Sequence, residues 1–200
     1  MTVLFVDGWF GPDPGDWQEL WARDLPGSAR VGQDDWDVPE RTAWVRRLDE
    51  AIAACDEPPV LVAHSLGVPT VVHWAARPRP AAGTDRRVRG ALLVTPADVE
   101  RNPDPAIRGF APLPVDALPF PAVLAASRTD RWMTPERARF FADAWGARFA
   151  DVGEVGHLTV AEGPGPWDQG RELLDALLHH PGPGPGGADY LPDRRSIAGG

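Results

Sequence analysis

The sequence predicts one α/β domain in three layers, with a doubly wound, mainly parallel sheet of about six strands between helices. Short apolar runs alternate with longer segments of helical periodicity, which is the pattern of βαβ units. The strand runs are continuously apolar rather than alternating, which indicates burial on both faces of the sheet. With 200 residues, 43% of them hydrophobic, the chain can form a single sizeable core.

The strands are predicted where β-branched and apolar residues form short runs that end at polar or turn-forming residues. The run after the first helix is the least apolar of the set. In chain order the predicted strands are Val3–Val6, Ala29–Gly32, Val60–Ala63, Ala91–Thr95, Ala122–Ala126 and Arg148–Val152.

The helices are predicted from apolar spacing and from start signals. Thr134 followed by Pro135 is a typical helix start, with threonine as N-cap and proline in the first turn. In Pro39–Ala54 the apolar side chains recur at helical spacing. In chain order the predicted helices are Asp16–Asp24, Pro39–Ala54, Leu66–Ala76, Pro135–Trp145 and Trp167–Leu178.

Two segments depart from this alternation. Asn102–Pro121 is too rich in proline for a regular crossover helix, so it is either functional or poorly ordered, and we treat it as a candidate for a reduced lid. Residues 181–200 are rich in proline and glycine and are predicted to form a flexible tail. The folded domain is therefore expected to span residues 1–180.

Composition excludes several classes of function. A formal charge of −9 argues against a nucleic-acid partner, because phosphate binding requires a basic face. All 20 basic residues are arginine, so mechanisms that need a lysine amine are excluded. The single cysteine, Cys55, excludes an internal disulfide and a cysteine-rich metal site, and the five histidines lack zinc-type spacing. We expect no metal and no cofactor.

The sequence also bears on location. The N-terminus lacks the basic region and the long apolar run of a signal peptide. No stretch approaches the roughly 20 apolar residues that a membrane-spanning helix needs. A cytoplasmic protein with no membrane partner is therefore expected, whereas its oligomeric state cannot be read from the sequence.

Polar residues that follow the predicted strands indicate a catalytic site. In open α/β sheets the ligand binds beyond the carboxyl ends of the strands. Ser65, Asp130 and His157 each follow a strand and occur in the chain order typical of α/β-hydrolases. The sequence therefore predicts that the three side chains meet at one edge of the sheet.

Each of the three has a distinct chemical role in this hypothesis. Ser65 is the nucleophile, which needs a base because a serine hydroxyl is weakly nucleophilic at neutral pH. His157 is that base, and Asp130 orients its imidazole and stabilises the imidazolium. The backbone N–H groups of Leu66 and Trp9 are predicted to form the oxyanion hole.

Each assignment has an alternative. In "LVAHSLG" the position of the first glycine in the usual Gly-x-Ser-x-Gly pattern is occupied by Ala63, and the alternative role of Ser65 is an ordinary helix N-cap. Asp98, which follows the fourth strand, is a rival of Asp130 for the role of the acid. Asp151 is a second rival. His64 is interpreted as a packing residue that points away from the nucleophile.

The turns at this edge also contain glycines and aromatic residues. Gly8 is expected to let its turn approach the nucleophile closely, as is Gly11. Aromatic side chains suit an apolar acyl pocket. The residues predicted to bind the substrate are Gly8, Phe10, Trp132 and Trp167, with Trp9 beside them.

Several segments together resemble the small serine-hydrolase family of α/β-hydrolases that includes retinoblastoma-binding protein 9 and the bacterial YdeN-like proteins. They are "DGWFGPDPGDWQELW", "CDEPPVLVAHSLG", "LPFPAVLAASRTDRWMTPERARFFADAWGARF" and "GEVGHLTVAEGPGPWDQG". The resemblance implies a compact α/β-hydrolase fold without a large cap, with Ser65, Asp130 and His157 as the triad. Asp7 stands where many hydrolases have histidine. The Leu-x-Cys-x-Glu sequence behind the human member's name lacks its leucine here, so that partner is not implied.

The function expected from these observations is hydrolysis of a small-molecule ester, thioester or amide by a cofactor-free serine hydrolase. The alternative is a non-catalytic α/β-hydrolase fold that serves as a binding module, because fold does not dictate function. A separation of more than about 5 Å between Ser65 Oγ and the His157 ring would favour the binding module.

Overall fold

Strands and helices alternate along the part of the chain that the computed structural model describes, residues 2–78 and 88–179. The strands are β1 (Val3–Val6), β2 (Ser28–Arg30), β3 (Val60–Ser65), β4 (Gly90–Pro96), β5 (Ala122–Ala126) and β6 (Arg148–Asp151). The α-helices are α1 (Trp17–Asp24), α2 (Arg41–Ala53), α3 (Gly67–Ala75), α4 (Pro135–Trp145) and α5 (Asp168–His179). The predicted α/β fold class is confirmed. The predicted tail, residues 181–200, lies outside the described residues.

The six strands form one sheet in the order β2-β1-β3-β4-β5-β6, and every neighbouring pair is parallel. All carboxyl ends therefore lie at the same edge. The chain moves outward from β1 to β2 and then returns to the other side of β1 to form β3. This change of direction leaves a crevice between the loops after β1 and β3, which is where open α/β sheets bind ligands.

The helices cover both faces of the sheet and make it the middle of three layers. Helices α2, α3 and α4 pack on one face, where Leu48, Val71 and Phe141 are almost fully buried. Helices α1 and α5 pack on the other face through side chains that include Trp17 and Leu174. Burying a large apolar side chain contributes roughly 1.5–3 kcal/mol relative to exposure, so both faces stabilise the sheet that carries the site.

Most element ends agree with the predicted ones to within a few residues, and local capping explains the differences. Helix α2 begins at Arg41 rather than Pro39, because the Glu40 carboxylate accepts the N–H groups of Thr42 and Ala43 and acts as the N-cap. Thr134 caps α4 as predicted. Strand β2 begins one residue earlier and ends two residues earlier than predicted, in keeping with its low apolar content.

The proline-rich segment Asn102–Pro121 contains a 3-10 helix, Pro105–Phe110. Ile107 and Phe110 from this helix are buried in the core that includes α2, α3 and α4. The Leu118 N–H donates to the Trp145 carbonyl and fixes the end of the segment. The segment is thus anchored to the core by apolar side chains.

Candidate active site

Ser65 is the last residue of β3 and has a left-handed backbone, with φ of 53°. This conformation is unfavourable for a residue with a Cβ atom, and strained residues of this kind cluster at functional sites. Gly67 allows the tight turn into α3, because a Cβ atom there would lie 2.1 Å from the Val6 carbonyl oxygen. Leu66 occupies the N-cap position of α3, and no side chain caps that helix. Ser65 is therefore not an N-cap, and its alternative role is removed.

The Ser65 hydroxyl instead lies beside His157. Ser65 Oγ is 2.8 Å from His157 Nε2. On the other side of the ring, His157 Nδ1 is 2.9 Å from Asp130 Oδ1 and 3.0 Å from Oδ2. Asp130 Oδ1 also accepts the backbone N–H of Trp132 at 2.8 Å, which fixes the carboxylate. The three side chains form one hydrogen-bonded chain in which Asp130 and His157 are buried.

The rival acids lie elsewhere. Asp98 is buried against the Arg137 guanidinium, which donates to both of its carboxylate oxygens. Asp151 pairs with Arg128 at 2.8 Å on the surface. Neither carboxylate makes a hydrogen bond to His157.

The turn after β1 approaches the serine closely. A Cβ atom on Gly8 would lie 2.8 Å from Ser65 Cβ and 3.3 Å from its Oγ, so only glycine fits. The turn brings Trp9 to the cavity that Ser65 also lines. Within the described residues, the backbone N–H groups of Trp9 and Leu66 donate to no protein acceptor. Trp9, Leu66 and Ser65 all line the same cavity.

A cavity of about 270 Å³ opens onto Ser65 and His157. Of the predicted substrate-binding residues, Gly8, Phe10 and Trp132 line it. The Phe10 ring stacks on Trp9 with 4.4 Å between ring centroids and is 64% exposed. Phe10 also has φ of 71°, a second strained backbone at this edge. Aromatic and aliphatic walls with a few polar groups are typical of pockets for small organic ligands.

Trp167 does not line this cavity, contrary to the prediction. Its ring packs at 5.1 Å from Trp17 and at 5.8 Å from Trp21, between centroids, and is almost fully buried. A Cβ atom on Gly170 would overlap the Trp167 ring, so that glycine makes room for it. Trp167 has a left-handed backbone, with φ of 46°, and its ring lies in the core instead of at the site.

Sequence reasoning missed several residues at the cavity. Ile107 reaches it from the proline-rich segment, and Leu158 and Val160 from the loop after His157. These loop residues follow strands whose carboxyl ends form the site, and this position in the sequence was the only available indication that they line the cavity. The sequence pattern did not indicate which of their side chains face inward.

Asp7 is the first residue after β1. Its buried carboxylate accepts a hydrogen bond from Arg30, the last residue of the neighbouring strand β2. Burial raises the pKa of Asp7 to about 6, and Arg30 opposes that shift only in part. The residue that replaces the histidine of many hydrolases is therefore tied to the neighbouring strand.

The described residues show no arrangement suited to a metal ion. Among them, no group of three or more histidine, cysteine, aspartate or glutamate side chains is placed to hold one. Separately, in residues 2–78 and 88–179, no helix is long and apolar enough to cross a membrane.

Comparison with known proteins bears on the family and the fold of this chain. A family model described as "Serine hydrolase" matches residues 3–176. A YdeN-like hydrolase from Pectobacterium atrosepticum is 28% identical, with a TM-score of 0.75 over 86% of this chain and 88% of its own. The ydeN gene product of Bacillus subtilis shares the fold at 18% identity, with a TM-score of 0.74 over 90% and 99% of the two chains. The carboxylesterase CesB of Bacillus subtilis shares it at 12% identity, with a TM-score of 0.60 over 89% and 83%.

No curated protein matches the sequence. The resemblance to small YdeN-type serine hydrolases is nevertheless confirmed by the family match and by these two YdeN structures. A family match over most of the chain, a parallel six-stranded sheet and a serine at its carboxyl edge lead to one conclusion: this chain belongs to the serine hydrolase family.

Proposed function

We propose that this hydrolase cleaves a small-molecule carboxylic ester, thioester or amide through an acyl-enzyme on Ser65. The observation that carries the proposal is the unbroken hydrogen-bonded chain from Ser65 Oγ through His157 to Asp130, at the wall of an apolar cavity. A nucleophile within hydrogen-bond reach of its base, with the base held by a third group, is the arrangement nucleophilic catalysis requires.

In acylation, Ser65 Oγ attacks the acyl carbon while His157 Nε2 takes the hydroxyl proton. Asp130 favours this transfer because its carboxylate holds the proton on Nδ1 and leaves Nε2 free to accept. The negative charge that develops on the acyl oxygen is stabilised by the free N–H groups of Leu66 and Trp9. His157 then gives the proton to the leaving group, and the bond between the acyl carbon and that group breaks.

In deacylation, water replaces the leaving group. His157 Nε2 takes a proton from the water molecule as its oxygen attacks the acyl carbon of the ester on Ser65. The same N–H groups stabilise the second oxyanion. Collapse returns the proton to Ser65 Oγ and releases the carboxylic acid, so the enzyme is unchanged.

The cavity favours a small apolar acyl group. Its volume of about 270 Å³ lies just below the usual range of small-molecule sites. The stacked Trp9 and Phe10 rings, together with Trp132, offer flat apolar contact surface. The esterase and lipase names among the structural neighbours, such as the carboxylesterase of Bacillus subtilis, are in keeping with ester substrates.

A fluorophosphonate probe tests the nucleophile. We expect the wild-type protein to be labelled and to hydrolyse 4-nitrophenyl acetate, and Ser65→Ala to do neither. Ser28→Ala is the matched control: Ser28 begins β2, whereas Ser65 ends β3, and the Ser28 hydroxyl donates to the Ala22 carbonyl of α1, so labelling should be retained. An unlabelled wild type, or Ser65→Ala labelled as strongly as wild type, would refute the assignment.

The geometry also argues against the binding-module alternative. The separation of Ser65 Oγ and His157 Nε2 is 2.8 Å, well inside the limit of about 5 Å set above for that alternative. The serine and its base are already in contact without any movement of a loop.

A further inference from the structure

The main-chain carbonyl of His157 accepts hydrogen bonds from two side chains of neighbouring strands. His64 Nε2, from the end of β3, lies 2.8 Å from this oxygen. Thr95 Oγ1, from the end of β4, donates to it over 3.2 Å. A carbonyl oxygen has two lone pairs, so both are occupied.

His64 is fixed in one protonation state at this contact. Its ring lies edge-on to Trp17 at 5.8 Å and tilted against the His157 ring at 5.2 Å, between centroids. Burial, together with the neighbouring His157, lowers the pKa of His64 to about 3. The ring is therefore neutral at working pH, and because its partner is a carbonyl, the one N–H lies on Nε2.

The amide on the other side of His157 is held as well. The Glu162 carboxylate accepts the backbone N–H of Thr159 at 3.0 Å and its hydroxyl at 3.1 Å. Burial acts to raise the pKa of Glu162, but the backbone N–H of His157, the two Thr159 donors and the nearby His157 ring outweigh it, so the pKa lies below its ordinary value. Gly156 makes room for this carboxylate, since a Cβ atom there would lie 2.2 Å from a Glu162 oxygen.

The His157 loop needs such support because its own secondary structure is sparse. The residue follows a turn after β6 and precedes Leu158, whose φ of 57° is unfavourable. An imidazole on a loop can turn or shift unless its backbone is fixed, and small displacements of a catalytic group lower the rate strongly.

We propose that His64, together with Thr95, is a positioning residue that holds the His157 carbonyl and so keeps Nε2 directed at Ser65 Oγ. This inference rests on the proposed function, in which His157 is the general base. From the sequence alone, His64 is interpreted as a packing residue. The structure shows the packing against Trp17 and adds a directed hydrogen bond to it.

The test compares variants that keep or remove each donor. His64→Leu keeps bulk without a donor, whereas His64→Gln places an amide N–H near the position of Nε2. Thr95→Val keeps the shape and removes the hydroxyl, and Thr95→Ser restores it. We expect kcat for 4-nitrophenyl acetate to fall about tenfold in His64→Leu and about threefold in Thr95→Val, as for losing one hydrogen bond, with KM within about twofold.

A spectroscopic readout separates positioning from general damage. The proton on His157 Nδ1, bonded to Asp130, should give an NMR resonance far downfield of other N–H protons. We expect that resonance to broaden or shift in His64→Leu and in Thr95→Val, and to return in His64→Gln and Thr95→Ser along with most of kcat.

Two results would overturn the proposal. One is an equal loss of kcat in His64→Gln and His64→Leu, which would leave only packing as the role of His64. The other is wild-type kcat and an unchanged resonance in both donor-free variants. Failure of the proposed function would give a different result. The wild type itself would then not be labelled by the fluorophosphonate, whereas the resonance would still respond to His64→Leu.

Discussion

Replacing Asp130 by asparagine tests the proposed mechanism at one atom. Asp130 Oδ1 accepts the Trp132 N–H at 2.8 Å, and both carboxylate oxygens lie about 3 Å from His157 Nδ1. In Asp130→Asn the amide oxygen keeps the Trp132 N–H, because only an oxygen can accept it. The amide NH₂ group then faces Nδ1.

This orientation forces the wrong tautomer on His157. With a donor opposite Nδ1, the ring proton moves to Nε2, which then donates to Ser65 Oγ and cannot accept its proton. The imidazolium also loses its counter-charge. The corresponding aspartate-to-asparagine change in a serine protease lowers kcat about 10⁴-fold, so we expect a loss of that order, about 5.5 kcal/mol in the activation free energy.

The assay is kcat for 4-nitrophenyl acetate, with Asp98→Asn as the matched control. Asp98 is another buried acid at this edge, but it is bonded to Arg137, and Glu100 still partners Arg137 after the change. Asp98→Asn should lower the free energy of unfolding by about 1–3 kcal/mol and leave kcat within about threefold. If Asp130→Asn retained more than about a tenth of wild-type kcat, or if Asp98→Asn lost as much as Asp130→Asn, the tautomer argument would be wrong.

Two further predictions concern the turn after β1. Gly8→Ala should lower kcat about 100-fold and slow fluorophosphonate labelling in parallel, because its Cβ atom would displace Ser65. Gly109→Ala is the control and should match wild type, because a Cβ atom there would meet nothing within 4 Å. Equal effects of the two substitutions would contradict the close approach of Gly8 to Ser65. Burial raises the pKa of Asp7 from 3.8 to about 6, so the folded state binds this proton more tightly than the unfolded chain does. The free energy of unfolding of the wild type therefore falls as the pH rises from about 4 through about 6. Asp7→Asn lacks this titration, so its free energy of unfolding relative to wild type should rise by up to about 3 kcal/mol between about pH 4 and pH 7, as measured by urea titration. A difference that does not change with pH would contradict this prediction.

The sheet could be predicted because its strands are buried on both faces, which makes each one a continuous apolar run. The closeness of Ser65, Asp130 and His157 followed from their positions after parallel strands, and the structure brings the three together, while their roles remain part of the proposal. Sequence spacing could not place Trp167, because an aromatic ring in a turn can face the cavity or the core, and this one packs against Trp17 and Trp21 in the core. His64 was missed as a hydrogen-bond donor for a related reason: its acceptor is a carbonyl 93 residues away along the chain.

The left-handed backbone of Ser65 has a consequence for how this protein can change. A glycine at position 65 would relieve the strain of φ 53° without disturbing the strand or the helix that follows. The same substitution would remove the hydroxyl that lies 2.8 Å from His157 Nε2. Phe10 and Leu158, which line the cavity, share this backbone conformation, as does Thr95 near the end of β4. A search for more stable variants would therefore favour substitutions at this edge, and protein engineers should hold these positions fixed while they stabilise the rest of the domain.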